Sequence, residues 1–538
     1  MNISRAGTCL LLVLAAGALP AQARPDSSSK TDSAAKPLRP RTTYEDMQMF
    51  SQVLNQIRVN HPDSIDTHEL LMAAVQGMVS AADPHSFVMR YTPMSAEKQQ
   101  AYRDGKLYPV PIEFEFIEGA AIVVGAAPGS DAARQDILLG DELIGIDGKP
   151  VAAQSSLELE VTLFGPKNST VRLTFERRRV DGSLVQLDRV VRRQRVEEEV
   201  SSVPVAFLLD PKTGYIRVTS FMGEKVADDL HDALGRLESQ GAQRLVLDLR
   251  DNGGGRVDHA AHIAGEFLPK GTIVFTSEGR KREVTDTGRV KRSFWKSERR
   301  YPIVLMVNAG TASASELVAG ALQDHDRALI VGRTTFGKAL LMGAFPLQDG
   351  SMIELVIGHV RTPCGRVIQR QYHAYSRHAY YRLAGAERDT VGRPWCKTDG
   401  GRVVYGGGGI YPDIVFAERD LPPVWYARIR EDELPLKWLG GYVSANSALF
   451  PSLDALAAHP RVPDDAVAQF RAFVEKNGII VPPGTESDRL LQRMLTRGVA
   501  RMKWGEEGYY RMAAILDPDV GLAVGAFDRA QAILGPAH

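Results

Sequence analysis

Between residues 205 and 425, short aliphatic runs alternate with stretches of helical periodicity, which restricts this part of the chain to a layered α/β domain. Residues 214–218 (GYIRV), 245–249 (LVLDL), 303–307 (IVLMV) and 328–331 (ALIV) read as strands, the second and third as buried ones. Residues 225–240, 257–268 and 314–322 read as the helices between them.

The flanks differ. Arg5, an apolar run from about Cys9 to Leu19 and the small-x-small site Ala21-Gln22-Ala23 predict a signal peptide over 1–23, because the run is too short to cross a bilayer comfortably; an uncleaved anchor is the alternative. The mature protein is then expected outside the cytosol, in the periplasm. Residues 24–41 are rich in Ser, Pro and Lys and read as a disordered linker. Over 42–100, Met47, Phe50, Val53, Leu54 and Ile57, then Leu70, Leu71, Ala74, Val75 and Met78, recur at helical spacing and predict a small helical module. Residues 101–195 change to short β-branched runs with turn signals such as Asp147-Gly148. After 425 the reading is helical, with candidates at 453–458, 465–476, 487–502 and 520–534 in a C-terminal region 426–538.

Charge excludes some partners. Lys+Arg and Asp+Glu are both 65 in 538 residues, so no net field argues for nucleic acid or an acidic membrane surface. The basic stretch 279–300 is interleaved with Glu283, Asp286 and Glu298 and reads as a solvated hairpin. Cleavage after Ala23 would leave Cys364 and Cys396, which either pair across a loop of about thirty residues, worth ~3 kcal/mol, or stay as two unpaired thiols.

Three segments carry candidate chemistry. In 303–321 (IVLMVNAGTASASELVAGA) a buried strand runs through a small-residue turn into a helix, which would expose a hydroxyl beside a helix N-terminus. Thr311, Ser313 and Ser315 are the available hydroxyls; Ser313 with Glu316 also fits a plain capping box. In 327–342 (RALIVGRTTFGKALLM) Lys338 stands among Phe336, Leu340, Leu341 and Met342. An ordinary lysine is neutral about once in 2,500 at pH 7, and apolar burial can supply the roughly 3–5 kcal/mol that makes it a base. A surface lysine beyond a strand is the alternative. In 247–255 (LDLRDNGGG) three glycines let the backbone turn its N–H groups toward an oxygen. A phosphate loop is disfavoured by the absence of a Walker lysine. Asp258, His259 and His262 at helical spacing suggest a metal only weakly, since spacing places no third ligand. No cofactor is expected.

In order, DLRDNGGG, NAGTASASELVAGALQDHDRALIVGRTTFGKAL, TPCGRVIQ and GGIYPDI resemble the carboxy-terminal processing peptidases, the tail-specific Ser–Lys proteases, over about residues 42–420. Residues 129–151 (GSDAARQDILLGDELIGIDGKPV) resemble the second half of a PDZ domain, a module that takes an extended peptide as an added strand. The resemblance implies a multidomain α/β and α+β protein: a crotonase-like α/β catalytic core over 196–425, an inserted PDZ-like β domain over 101–195, and helical N- and C-terminal regions. It implies Ser313 as nucleophile with Lys338, twenty-five residues on, as general base. It places the oxyanion hole on backbone N–H groups of Gly254 or Gly255 and Ala314, and makes Asp324 structural. Expected partners are protein or peptide substrates with accessible C-termini, with a homo-oligomer and an adaptor protein among the associations it would admit.

This sequence departs from the pattern. Met342 replaces the glutamine that would orient the lysine amine, Ala339 replaces a glycine, and Phe164 replaces an arginine before Gly165-Pro166. Residues 370–406 exceed the length found in compact members. These departures keep a second reading open, a catalytically impaired PDZ-bearing scaffold. Crotonase-like acyl-CoA chemistry would share the core but fits poorly with an exported, PDZ-bearing chain.

Overall fold

The computed structural model describes residues 42–534 except 84, 91–95, 118–119, 127–129, 136, 138–140, 154–155, 179–182, 195–200, 282, 292–297, 372–389, 418–421 and 433. The signal-peptide and linker expectations fall outside these residues, as does much of the long segment before Gly406. A first compact unit ends at Leu71 and contains the helix Thr43–Asn60, whose Thr42 and Glu45 form a capping box. The second unit begins at Met72.

A six-stranded sheet organises the second unit. We number its strands β1 (Val205–Asp210), β2 (Thr213–Arg217), β3 (Arg244–Asp248), β4 (Ile303–Val307), β5 (Leu329–Gly332) and β6 (Ile414–Val415). Their spatial order follows the chain: β1 is antiparallel to β2, and β2 through β6 are parallel. Helices α1 (Val226–Ser239), α2 (Val257–Ala264) and α3 (Ala314–Asp324) provide crossovers.

Strand side chains alternate between faces, and here both faces are dry. Ile216, Leu245, Leu247, Ile303, Leu305, Val307 and Ile330 pack with Leu230, Leu234, Ile263 and Val318 from the three crossover helices. Tyr215, Val246, Val304, Met306, Leu329 and Val331 face the other way and meet Phe416, Ala514, Val520, Ala523, Phe527 and Ala530. Apart from Phe416, this second layer comes from α4 (Thr485–Ile515), α5 (Pro518–Val524) and α6 (Phe527–Leu534), so a division of the chain near residue 425 passes through a packed core. Two covered faces explain why β4 is an unbroken apolar run. The remaining C-terminal helices pack with the first part of α4 in a core of their own around Leu439, Phe470, Leu491 and Leu495. The predicted 487–502 helix continues to Ile515 after a break at Trp504 and Gly505.

Residues 112–192 form a separate antiparallel sheet from strands Ile112–Ile117, Ala120–Ala126, Glu142–Ile146, Thr170–Arg178 and Leu184–Arg192, with Leu159 and Leu163 of the helix Ser156–Leu163 in its core. Asp147 and Gly148, both at positive φ, make the two-residue hairpin that Asp-Gly predicts. Asp141 of the Leu-Gly-Asp stretch pairs with Arg177 through two buried bonds of 2.7 and 2.8 Å. A third sheet contains the hairpin Ile273–Gly279 and Val284–Arg289, where the basic stretch begins, and the hairpin Leu340–Pro346 and Met352–Arg361, which carries the chain away from Lys338. Cys364 and Cys396 are disulfide-bonded, which settles the open alternative for these two thiols.

The far-face layer gives the first prediction. Phe527 is 4% exposed, with the Arg244 guanidinium 4.6 Å from its ring centroid. Phe527→Ala is expected to reduce unfolding free energy by about 3–5 kcal/mol in urea denaturation. A change below about 1 kcal/mol would separate α6 from the sheet's core.

Candidate functional site

The site forms where β3, β4 and β5 run out at the same edge of the sheet. Beyond β4 the turn Asn308–Ala312 leads into α3, and its hydroxyls fare differently. Thr311 is buried and donates its Oγ1–H to Leu249 O at 2.8 Å. Ser315 is fully buried in α3. Ser313 remains half-exposed at the N-terminal end of that helix. Its φ of 55° lies in the left-handed region, uncommon for a residue with a Cβ. Such strain persists only where neighbours over-determine it. Here Ala312 N donates to Asn252 O at 3.0 Å, and Ser313 N donates to Glu316 Oε2 at 2.9 Å.

Glu316 does far more than close a helix cap. Its side chain is fully buried, and Oε2 also accepts Lys338 N at 2.8 Å. Oε1 accepts Gly337 N at 2.8 Å and the hydroxyl of Thr335. One carboxylate thus joins the serine turn to the lysine loop that follows β5. Phe336 N adds a direct bond to Thr311 O at 2.9 Å. Burial pushes the Glu316 carboxyl up to about 7, although the four donors pull the other way.

Lys338 is half-buried, and so are Phe336, Leu340, Leu341 and Met342. The apolar neighbours expected around the lysine are present but leave it partly open; among the described residues Leu340–Pro346 pairs only with Met352–Arg361. From below, the loop is held by Arg370, which is fully buried: its N–H bonds Gly337 O at 2.9 Å and its guanidinium bonds Phe336 O at 3.0 Å. Gln369 Oε1 accepts Ala339 N at 2.8 Å.

The glycine turn after β3 closes the third side. Gly254 and Gly255 have φ of 94° and 144°. A Cβ on Gly254 would sit 2.6 Å from Ala312 O and 2.8 Å from Ala314 N; one on Gly255 would sit 2.4 Å from Phe221 C. Only glycine permits either approach. Gly254 N donates to Asn252 Oδ1 at 2.9 Å, whereas the N–H groups of Gly255 and Ala314 have no hydrogen-bond partner among the described residues. Beneath this turn, fully buried Asp248 accepts Tyr215 Oη at 2.7 Å, Arg217 Nη1 at 3.0 Å and Arg250 Nη2 at 2.7 Å. Burial alone would raise the Asp248 carboxyl, but the two guanidinium groups hold it well below the usual range.

The other candidate residues lie elsewhere in the hydrogen-bond pattern. Asp324, the last residue of α3, pairs with Arg366 at 2.8 Å and accepts Cys364 N at 3.1 Å. Buried His259 gives Nδ1–H to Phe221 O at 3.0 Å, Asp258 pairs with Arg256, and His262 is exposed. Sequence reasoning saw Glu316 only as a cap and did not see Asn252, Asp248 or Arg370 as supports. The capping spacing was the available signal for Glu316; nothing local announces its other three bonds.

With this geometry in view, the similarities of the chain fall into one group. Residues 212–374 match the model described as Peptidase family S41. A carboxy-terminal-processing protease of Bartonella bacilliformis is 32% identical over 335 residues, 61% of this chain and 73% of that protein. The carboxy-terminal processing protease CtpA of Bacillus subtilis is 28% identical over 60% of this chain and 66% of its own. For the chloroplastic carboxyl-terminal-processing peptidase 2 of Arabidopsis thaliana the figures are 36%, 45% and 46%, so this chain spans about half of that relative. A solved photosystem II D1 C-terminal processing protease aligns over 69% of this chain and 87% of its own, with 22% identity and TM-score 0.44. Among the described residues no helix is long and apolar enough to cross a membrane.

Glu316 gives a signed pH prediction. Its folded-state pKa, about 7, lies above its ordinary value of 4.5, so the folded state binds the proton more tightly. The stability this group contributes is therefore full below pH 4.5 and declines as pH rises to about 7. Glu316→Gln cannot titrate, so the stability difference, wild type minus variant, is expected to fall across that window and level off above it. Urea unfolding at a series of pH values tests this, and a difference that rises across the window would contradict it.

Proposed function

This chain belongs to the carboxy-terminal-processing peptidase family, and from that membership we propose that it is an exported Ser–Lys endopeptidase cutting proteins near their C-terminal tails. The observation that carries the proposal is the shared carboxylate: Glu316 Oε2 holds the main-chain N–H of Ser313 and of Lys338 at once, which brings a strained, half-exposed hydroxyl and a lysine to one edge of one sheet.

In this reading Lys338 Nζ, in its neutral form, takes the Ser313 hydroxyl proton as Oγ attacks the scissile carbonyl. The tetrahedral oxyanion is met by the N–H groups of Gly255 and Ala314, because Gly254 N–H is already bonded to Asn252. Collapse breaks the C–N bond, and the Lys338 ammonium returns its proton to the leaving amine. Water then attacks the Ser313 ester with Lys338 again as base, releasing the acid and restoring the hydroxyl. The role is fully within reach of Ser313, Lys338 and backbone donors, with no cofactor.

The same proposal makes the sheet of residues 112–192 a PDZ-like module that receives the substrate tail as an added strand, and the β1–β6 domain a crotonase-like core. It places the mature protein in the periplasm, acting on chains with accessible C-termini, as an oligomer or with an adaptor. Met342 in place of the orienting glutamine supports a competing reading, a tail-binding scaffold without turnover.

One comparison tests these readings: degradation of an unfolded protein ending in apolar residues by the mature chain, by Ser313→Ala and by Lys338→Ala. Loss of about three orders of magnitude in kcat in both variants is expected. An inactive wild-type chain that still binds the tail would instead establish the scaffold.

A further inference from the structure

The far-face helices contribute more than apolar cover. Asp517 and Asp519, at the start of α5, reach the two turns that flank the serine turn. Arg250, which follows β3 and leads into the glycine turn, gives Nη1–H to Asp517 Oδ2 at 2.7 Å and lies 3.8 Å from Asp519 Oδ2. Arg333, which follows β5 and leads into the Lys338 loop, gives Nη1–H to the same Asp519 oxygen at 2.8 Å. All four side chains are largely buried, at 11% exposure for Arg250, 17% for Arg333, 14% for Asp517 and 7% for Asp519.

Strands two positions apart in a sheet lie roughly 10 Å from each other, beyond the reach of a main-chain bond. β3 and β5 are so related, with β4 and its serine between them. Two guanidinium arms reaching the neighbouring carboxylates of Asp517 and Asp519, Arg250 bonded to the first and Arg333 to the second, cross that gap from the side of the sheet opposite α3. The clamp is anchored at both ends. Arg250 also grips Asp248 through Nε and Nη2, and Arg333 N bonds Val307 O, the last residue of β4, at 3.0 Å. Asp519 itself is fixed by its N–H to Asp517 Oδ1 at 3.0 Å and by Val520 and Ala523 in the core of the far face.

We propose that Asp519 is a positioning residue for catalysis, which sets the spacing between the glycine turn and the Lys338 loop by bonding Arg333 directly while lying 3.8 Å from Arg250, whose own bond goes to the adjoining Asp517. The catalytic part of this inference rests on the Ser–Lys reading above; the positional part does not. A charge-assisted arginine–carboxylate hydrogen bond restricts direction as well as distance, whereas apolar packing alone would let the two turns shift separately. A sub-ångström drift of an oxyanion donor relative to a base is felt in turnover more than in substrate binding.

The test uses the full chain carrying Asp519→Asn and, separately, Arg333→Met. The second variant leaves Asp519 beside Arg250 and so keeps the experiment informative if the first fails to fold. Amide exchange read by mass spectrometry is expected to quicken about tenfold in peptides covering 250–256 and 334–339, and to stay unchanged in 453–476, a sub-global opening confined to the two turns. With an unfolded protein substrate, kcat should fall about tenfold and KM change less than about twofold. A merely structural role would lower the unfolding temperature and loosen the whole sheet without this split. Wild-type exchange in both turns, or wild-type kcat, in a folded variant overturns the proposal. Quickened exchange together with cleavage that survives Ser313→Ala keeps the clamp and removes the Ser–Lys reading instead.

Discussion

A single carboxylate in a dry interior is the constraint on which the site depends. Glu316 is fully buried in a helix whose other residues are buried too. Left without donors, such a group would destabilise the fold by several kcal/mol. Four donors from two segments converge on it, and hydrogen bonds to a charged acceptor are among the stronger ones a protein makes. The arrangement works in both directions. The donors make the burial tolerable, and the carboxylate keeps Ser313 at a φ that it would not adopt in isolation. Removing either side leaves the other without support.

The sheet edge explains why these segments meet at all. Parallel strands deliver their C-terminal ends to one side, so the turns after β3, β4 and β5 lie side by side although residues 249 and 338 are far apart in sequence. α/β domains use this edge for function generally, because strand ends are fixed by the core while the turns beyond them are free to vary. In this chain the freedom is small. Asn252 and Thr311 bond the glycine and serine turns to each other and to Leu249, and Gly254 fits against Ala312 at a distance no side chain permits.

The sequence showed the strand–helix alternation and the three chemical segments clearly, and the elements at 245–248, 303–307 and 314–324 lie within a residue or two of where periodicity puts them. Local signals suffice there because apolar runs and capping residues act within a few positions. Legibility ends where a partner is distant. Val304 and Met306 announce burial but not which helices bury them, and those helices come some two hundred residues later. The 487–502 helix was visible from its periodicity, but its continuation past Gly505 depends on packing against β1 and β2 through Ala514. Glu316 shows the same limit at the site. Its bond to Ser313 follows from three-residue spacing, while those to Thr335, Gly337 and Lys338 exist only once β4 and β5 are neighbours. The pairing of Cys364 with Cys396 was likewise a matter of where two segments end up, not of their spacing.

The double-faced sheet also bears on how the molecule is made. Strands β2 to β5 emerge during synthesis long before residues 514–530, so Val246, Val304, Met306 and Val331 face solvent for the whole interval. Contacts so remote in sequence form late, since the intervening loop entropy must first be overcome, and an apolar face left open in the meantime invites aggregation. The nascent chain therefore needs either a holding chaperone or rapid completion. The delay has a second consequence: turns braced from the far face stay loose until the helices of residues 485–534 dock, so the sheet edge takes its final shape only after that layer is in place.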